Sequence, residues 1–118
     1  MDKHHRVSFS SRVNNRSSPA FELVHSDVWG SSRVPSSKGF RYFLIFVDDF
    51  SRITWLYLLK EISEVSSVIK LFHDEIKTQF STSIRVLRTG NALEYMKMMS
   101  LFCSKHEIIH QISCSHAS

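Results

Sequence analysis

The amino-acid sequence encodes an α/β domain, a mixed five-stranded sheet with flanking helices. Three observations lead there. Arg41 to Val47 (RYFLIFV) is an unbroken apolar, β-rich run, the pattern of a strand buried on both faces. Ile53, Trp55, Tyr57 and Leu59 follow at a period of two, so the two runs form a hairpin across Asp48-Asp49-Phe50-Ser51. Val65, Val68, Ile69, Phe72, Ile76 and Phe80 then recur at three- and four-residue spacings, with Lys70, Asp74 and Lys77 between them. That periodicity predicts an amphipathic helix over 63–80.

The remaining elements follow in chain order. Residues 1–20 hold scattered Val7, Phe9 and Val13 and end in Ser17-Ser18-Pro19, which reads as a basic flexible arm ahead of a domain spanning 21–118. Glu22 to Trp29 reads as a strand stopped by Gly30, and residues 31–39 as a loop. Ser63 is the expected N-cap of the first helix. Ile84 to Leu87 is a short strand, Asn91 the expected cap of a second helix over 92–105, and Ile108 to Ile112 a last strand. Trp55, Ile45, Val68, Phe72 and Val86 are expected in the core.

Composition excludes several classes. At 118 residues with 42% apolar and 12% aromatic content, the chain supports one folded domain. The longest apolar run falls far short of the roughly 20 residues of a membrane span. No secretory signal is visible, so an intracellular protein is expected. Two cysteines, Cys103 and Cys114, form neither a disulfide framework nor a zinc spacing. The formal charge of +4 is concentrated early: Lys3, Arg6, Arg12 and Arg16 stand against Asp2 alone in residues 1–20. A basic segment ahead of a nearly neutral body suits contact with a polyanion, the bland alternative being a solvated tail.

Acidic residues at strand ends are the candidates for chemistry. Asp27 lies between Val24 and Val28 in the first strand of the domain, where an ionised carboxylate needs a partner such as a divalent cation. His25 alternates with it, so both share a face. Asp48 and Asp49 are read as turn residues, His4-His5 as part of the arm, and Cys103 as a small apolar helix residue.

Beyond composition and periodicity, FELVHSDVWG, GFRYFLIFVDDFSRITWLYLLK, IKTQF, SIRVLRTGNALEY and IIHQISC occur in one order and spacing over nearly the whole chain. Together they resemble the integrase catalytic core of copia-type retrotransposons, and HHRVSF resembles the segment after that family's zinc-binding module. The resemblance implies a ribonuclease H-like fold, DNA integration and nucleic-acid binding, and membership of a Pol polyprotein. It also implies two Asp and one Glu holding two Mg²⁺ ions. Two ions about 3.5–4 Å apart clamp the attacking and leaving oxygens of a phosphoryl displacement.

Carried over residue by residue, the resemblance makes Asp27 the first catalytic and metal-binding Asp. The second belongs in Ser-Asp-Asn-x-x-Glu-Tyr, which here reads Thr89-Gly90-Asn91-Ala92-Leu93-Glu94-Tyr95, so Gly90 stands where a carboxylate is needed. Glu94 is no substitute, since the family carries a Glu there already. The third carboxylate belongs on a helix beyond the last strand, and the C-terminal helices are missing from these 118 residues. The second helix is about one residue shorter than the family pattern, which turns its buried face by about 100°. A catalytically inactive copy that does not productively bind Mg²⁺ is therefore expected. The alternative is a non-catalytic nucleic-acid-binding or self-associating remnant, with DNA as partner and the nucleus as one intracellular destination.

Overall fold

The computed structural model describes residues 5–9, 20–31 and 38–113. Their elements run β1 (His5–Phe9), β2 (Leu23–Trp29), β3 (Tyr42–Asp48), β4 (Thr54–Leu59), a 3₁₀ turn (Ile62–Glu64), α1 (Val65–Phe80), β5 (Val86–Thr89), α2 (Leu93–His106) and β6 (Ile109–Ile112). All five expected strands are present, with the hairpin at β3–β4. The strand count is six rather than five because His5–Phe9, read from the sequence as part of the flexible arm, pairs antiparallel along β4, with Val7 opposite Leu56. β4 would otherwise offer a row of unpaired N–H and C=O groups to solvent. Five residues are too short a run for their alternation to be distinctive.

The sheet order is β1-β4-β3-β2-β5-β6. β1, β4, β3 and β2 are antiparallel neighbours, whereas β2–β5 and β5–β6 are parallel. β2 thus sits where antiparallel pairing changes to parallel pairing.

Both helices lie on one face of this sheet. Val24, Leu44, Phe46, Trp55, Tyr57, Leu59 and Leu87 point into that core, where they meet Val68, Ile69, Phe72 and Ile76 of α1 and Tyr95, Met99 and Phe102 of α2. Phe72 stacks on Phe46 at 4.0 Å between ring centroids and meets Trp55 edge-on at 5.2 Å. Trp55, Val68 and Phe72 are core residues as expected. Ile45 and Val86 are not: strand alternation turns both to the opposite face, where they are half-buried, and Leu44, Phe46 and Leu87 take the inward positions. β3 is accordingly buried on one face rather than two. On the second face Phe43, Ile45, Val47, Leu56 and Leu58 are half-buried, and neither helix covers them.

Local chemistry sets the element ends. Asp48 is fully buried in the β3–β4 turn. Its Oδ1 accepts from the Phe21 N–H at 2.8 Å, and its Oδ2 from the Ser51 N–H at 3.0 Å and the Ser51 hydroxyl at 2.7 Å. That carboxylate therefore ties the entry to β2 to the hairpin, in keeping with its reading as a turn residue. Ser63 caps neither helical segment: Glu61 is the N-cap of the 3₁₀ turn, where the Glu64 carboxylate reaches back to accept from the N–H groups of Lys60 and Glu61 at 3.2 and 3.0 Å, and Glu64 precedes α1 with no side-chain cap bond. Ala92 rather than Asn91 occupies the N-cap of α2, with no side-chain bond.

Candidate functional site

Asp27 lies on β2 beside the end of β5. Ser26 is in register with Thr89, so Asp27 on β2 and Gly90, just past the end of β5, stand side by side where the parallel pairing of the two strands ends. Carboxyl ends of parallel strands are where open α/β sheets gather ligands. Asp27 is exposed, and its Oδ1 accepts from the Val28 N–H at 3.0 Å. A Cβ on residue 90 would lie 3.3 Å from that same Oδ1. Position 90 therefore faces Asp27 directly, as the family motif requires of its second carboxylate.

The surrounding cleft has a volume of about 280 Å³ and is lined by His25, Asp27, Ile45, Arg88, Thr89 and Gly90 among others. His25 shares the face of Asp27, as expected from alternation, and its Nε2–H donates to Asp49 Oδ1 at 2.9 Å. That hydrogen bond is the main cause holding the Asp49 carboxyl below its usual range; the charges of His25, Arg52 and Arg88 act in the same direction, against partial desolvation. Arg88 is held by Gln111 of β6 through Nε and Nη2 at 3.0 and 2.8 Å. It places a fixed cation in the cleft. Arg85 and Arg88 continue into an adjoining trough with Glu22, Asp49 and Gln111.

Behind the cleft, the Tyr95 hydroxyl donates to Ser26 Oγ at 2.8 Å. This pins the first turn of α2 to β2 one residue from Asp27. Burial pushes the Tyr95 phenol up, and the charge of Asp27 adds to that push. Thr89 donates its hydroxyl to the Gly90 carbonyl at 2.9 Å and meets His110 Nε2 at 2.9 Å. Burial pulls the His110 imidazole down. Glu94 is exposed on the first turn of α2 and does not line the cleft. Cys103 is buried, and burial pushes its thiol up to about 11, as suits a packing residue. His4 and Cys114 lie outside the described residues.

Sequence reasoning placed Asp27 and Gly90 but missed three polar ties: His25 to Asp49, Arg88 to Gln111, and Tyr95 to Ser26. Only His25 carried a signal, its alternation with Asp27. The other two join residues 23 and 69 positions apart, and pairing at that range has no local pattern.

These residues do not fit a two-metal centre. Among the described residues no three His, Cys, Asp or Glu side chains gather around a point that could hold a metal ion. Asp27 has a glycine where its partner carboxylate would stand, and the Arg88 cation lines the same cleft.

A mixed sheet with an acidic residue at its central strand, helices returning to one face, and β5 ending beside that residue defines the ribonuclease H-like class. The integrase core domain family matches residues 18–118, and the chain belongs to that family. The chain is 38% identical over 116 residues to the retrovirus-related Pol polyprotein from transposon RE2 of Arabidopsis thaliana, covering 98% of this chain and 8% of that protein. It is 36% identical over 110 residues to the corresponding polyprotein from transposon TNT 1-94 of Nicotiana tabacum, covering 92% and 8%. A truncated transposon Ty1-A Gag-Pol polyprotein of Saccharomyces cerevisiae is 28% identical over 98 residues, covering 79% and 8%. The chain thus spans about a twelfth of the length of these relatives and corresponds to the integrase core of a retrotransposon Pol polyprotein.

Proposed function

We propose that residues 1–118 are an integrase core that retains the family fold and its first carboxylate but has lost strand-transfer chemistry. The observation that carries this reading is Gly90, whose missing Cβ would stand 3.3 Å from Asp27 Oδ1. Phosphoryl transfer by two cations needs carboxylates from separate elements to hold and bridge the ions. Here β2 supplies one and β5 supplies none. The third, on a helix beyond β6, is not among these residues, and Gly90 breaks the site irrespective of it. Mg²⁺ in this reading is the cofactor of the family and is not productively held by this chain. The test is Mg²⁺-dependent strand transfer on element-end DNA. No product is expected, and activity abolished by Asp27→Asn would overturn the reading.

The second reading is a non-catalytic DNA-binding module working inside the cell, with the nucleus as its place of action. Lys3, Arg6, Arg12 and Arg16 concentrate the positive charge in residues 1–20, and Arg85 and Arg88 line the trough beside Asp27. Phosphate contacts by these groups make affinity fall steeply with salt, so a salt-insensitive or undetectable interaction with duplex DNA would remove it. Self-association through the half-buried apolar face of β3 and β4 belongs to the same reading. A monodisperse monomer at high concentration by light scattering would count against that part.

A further inference from the structure

One buried ionisable group has no part in the site. His73 lies on the inner side of α1, only 5% exposed, and its Nδ1 has no hydrogen-bond partner. Its ring stands edge-on to Phe102 at 5.3 Å and tilted against His106 at 4.9 Å, while His106 stacks on Phe102 at 4.1 Å. These three rings join the second half of α1 to the last turns of α2. The chain then passes through Glu107, in the left-handed region at φ 56°, directly into β6. Among the described residues β6 is a sheet edge, paired along one side with β5.

The charged and titratable groups bearing on His73 are Lys70, Asp74 and Lys77 from α1 and His106 from α2. Cys103, on the same stretch of α2, is a neutral thiol. The only carboxylate of this set, Asp74, is already bonded to Lys70 at 3.3 Å. A proton on His73 would therefore place a cation in an aromatic contact, beside two lysines and a second imidazole. Burying a charge without a committed partner costs several kcal/mol, so the group stays neutral or leaves.

We propose that the His73–Phe102–His106 contact is a pH-sensitive latch, which holds the C-terminal half of α2 and the β6 strand behind it while His73 is neutral and releases them when it is protonated. Burial, and after it the His106 and Lys77 charges, pulls the His73 imidazole below its usual range in the closed state. A released ring titrates near its ordinary value of about 6.5. The latch is therefore fully closed above about pH 6.5 and weakens as pH falls from there through the lower, closed-state value. Each unit between the two values shifts the open population by up to about tenfold.

Native-state amide hydrogen exchange on the full chain, corrected for intrinsic rates, tests this at pH 7.5 and 5.5. Protection over residues 99–106 and Ile109–Ile112 should fall, by up to about tenfold, relative to β3 and β4 at the lower pH. In His73→Phe, relative protection should be the same at both. A uniform loss across the sheet, or the same selective loss in His73→Phe, overturns the latch. His110 on β6 is a second imidazole pulled down by burial. Loss that persists in His73→Phe and vanishes in His110→Gln would move the switch to the β5–β6 pairing, and the proposal would be wrong. Should His73→Phe fail to fold, NMR titration of the wild-type ring decides: protonation of His73 with no change in α2 exchange also overturns it.

Discussion

Restoring a carboxylate at position 90 should make the fold sensitive to Mg²⁺ without restoring catalysis. The Gly90 backbone lies outside the left-handed region, and the one atom a Cβ would approach is Asp27 Oδ1 at 3.3 Å. Gly90→Asp is therefore sterically accessible, with the Asp27 carboxylate giving way by a few tenths of an ångström. Two carboxylates about 4 Å apart repel by about 1 kcal/mol in bulk water and about 4 kcal/mol at a protein-surface dielectric. Because Asp27 is exposed, the penalty belongs toward the lower figure. The metal-free variant should then melt several degrees below wild type, given about 4–8 °C per kcal/mol for small domains. Mg²⁺ is often held by one or two carboxylates and waters. If it binds the pair near 1 mM, 10 mM Mg²⁺ returns about 1.4 kcal/mol, enough to recover most of the loss. Differential scanning fluorimetry with and without Mg²⁺ reads this directly, with wild type as the control. A variant that melts like wild type and ignores Mg²⁺ would show that position 90 does not face Asp27 as described. Strand transfer should remain absent even with Mg²⁺ bound, since a third carboxylate is needed to fix the second ion.

Tyr95→Phe removes the hydroxyl bonded to buried Ser26 Oγ and should cost about 1 kcal/mol in chemical denaturation. Phe72→Ala empties the space between Phe46 and Trp55 and should cost about 3–5 kcal/mol by the same measurement. The Asp49 carboxyl sits below its usual range through its bond from His25. Its stabilisation is present above the unfolded value and lost as pH falls through the lowered folded value, so His25→Ala should cost less than about 1 kcal/mol above about pH 4, because the pair is partly exposed, and that cost should fade as pH drops below it. For DNA, charge is best removed by substitution, because His5–Phe9 is paired to β4 and deleting residues 1–20 would also uncover a sheet edge. Lys3→Gln, Arg12→Gln and Arg16→Gln together should reduce the salt slope of binding by about two to three; an unchanged slope would place the contacts on the body of the domain.

What was legible in the sequence divides along physical lines. The β3–β4 hairpin and α1 were readable because their apolar residues repeat over many positions, so that one face is specified redundantly. The inward face of β3 was not readable. RYFLIFV is apolar at nearly every position, and composition cannot say that Leu44 and Phe46 meet the helices while Ile45 meets the other face. The same ambiguity misplaced Val86 relative to Leu87. β1 was missed because its existence depends on the unpaired edge of β4 rather than on its own five residues. The caps of α1 and α2 lie one residue beyond Ser63 and Asn91, because the helices begin at Val65 and Leu93 behind Glu64 and Ala92, neither of which makes a side-chain cap bond. At the candidate site, Asp27 and the glycine facing it were found by motif, and their adjacency follows from the parallel pairing of β2 with β5.

In the proposed reading, that adjacency also accounts for a core that keeps its fold while losing its site. The residues that hold this domain together, Phe46, Phe72, Trp55 and their neighbours, lie on the helix-covered face. Asp27 is exposed and the neighbouring position 90 adds no side chain to that core. A second carboxylate at position 90 would stand beside Asp27 and raise the energy of the metal-free fold. Replacing it with glycine gives up some backbone entropy, about 0.5–1 kcal/mol relative to alanine, but removes a repulsion of at least similar size. Clustered like charges at catalytic centres are commonly maintained against stability. In that reading, loss of the second ligand is therefore close to neutral for folding, and the hairpin, the aromatic core and the Tyr95–Ser26 tie persist around a cleft whose lining, among the described residues, holds one carboxylate, Asp27.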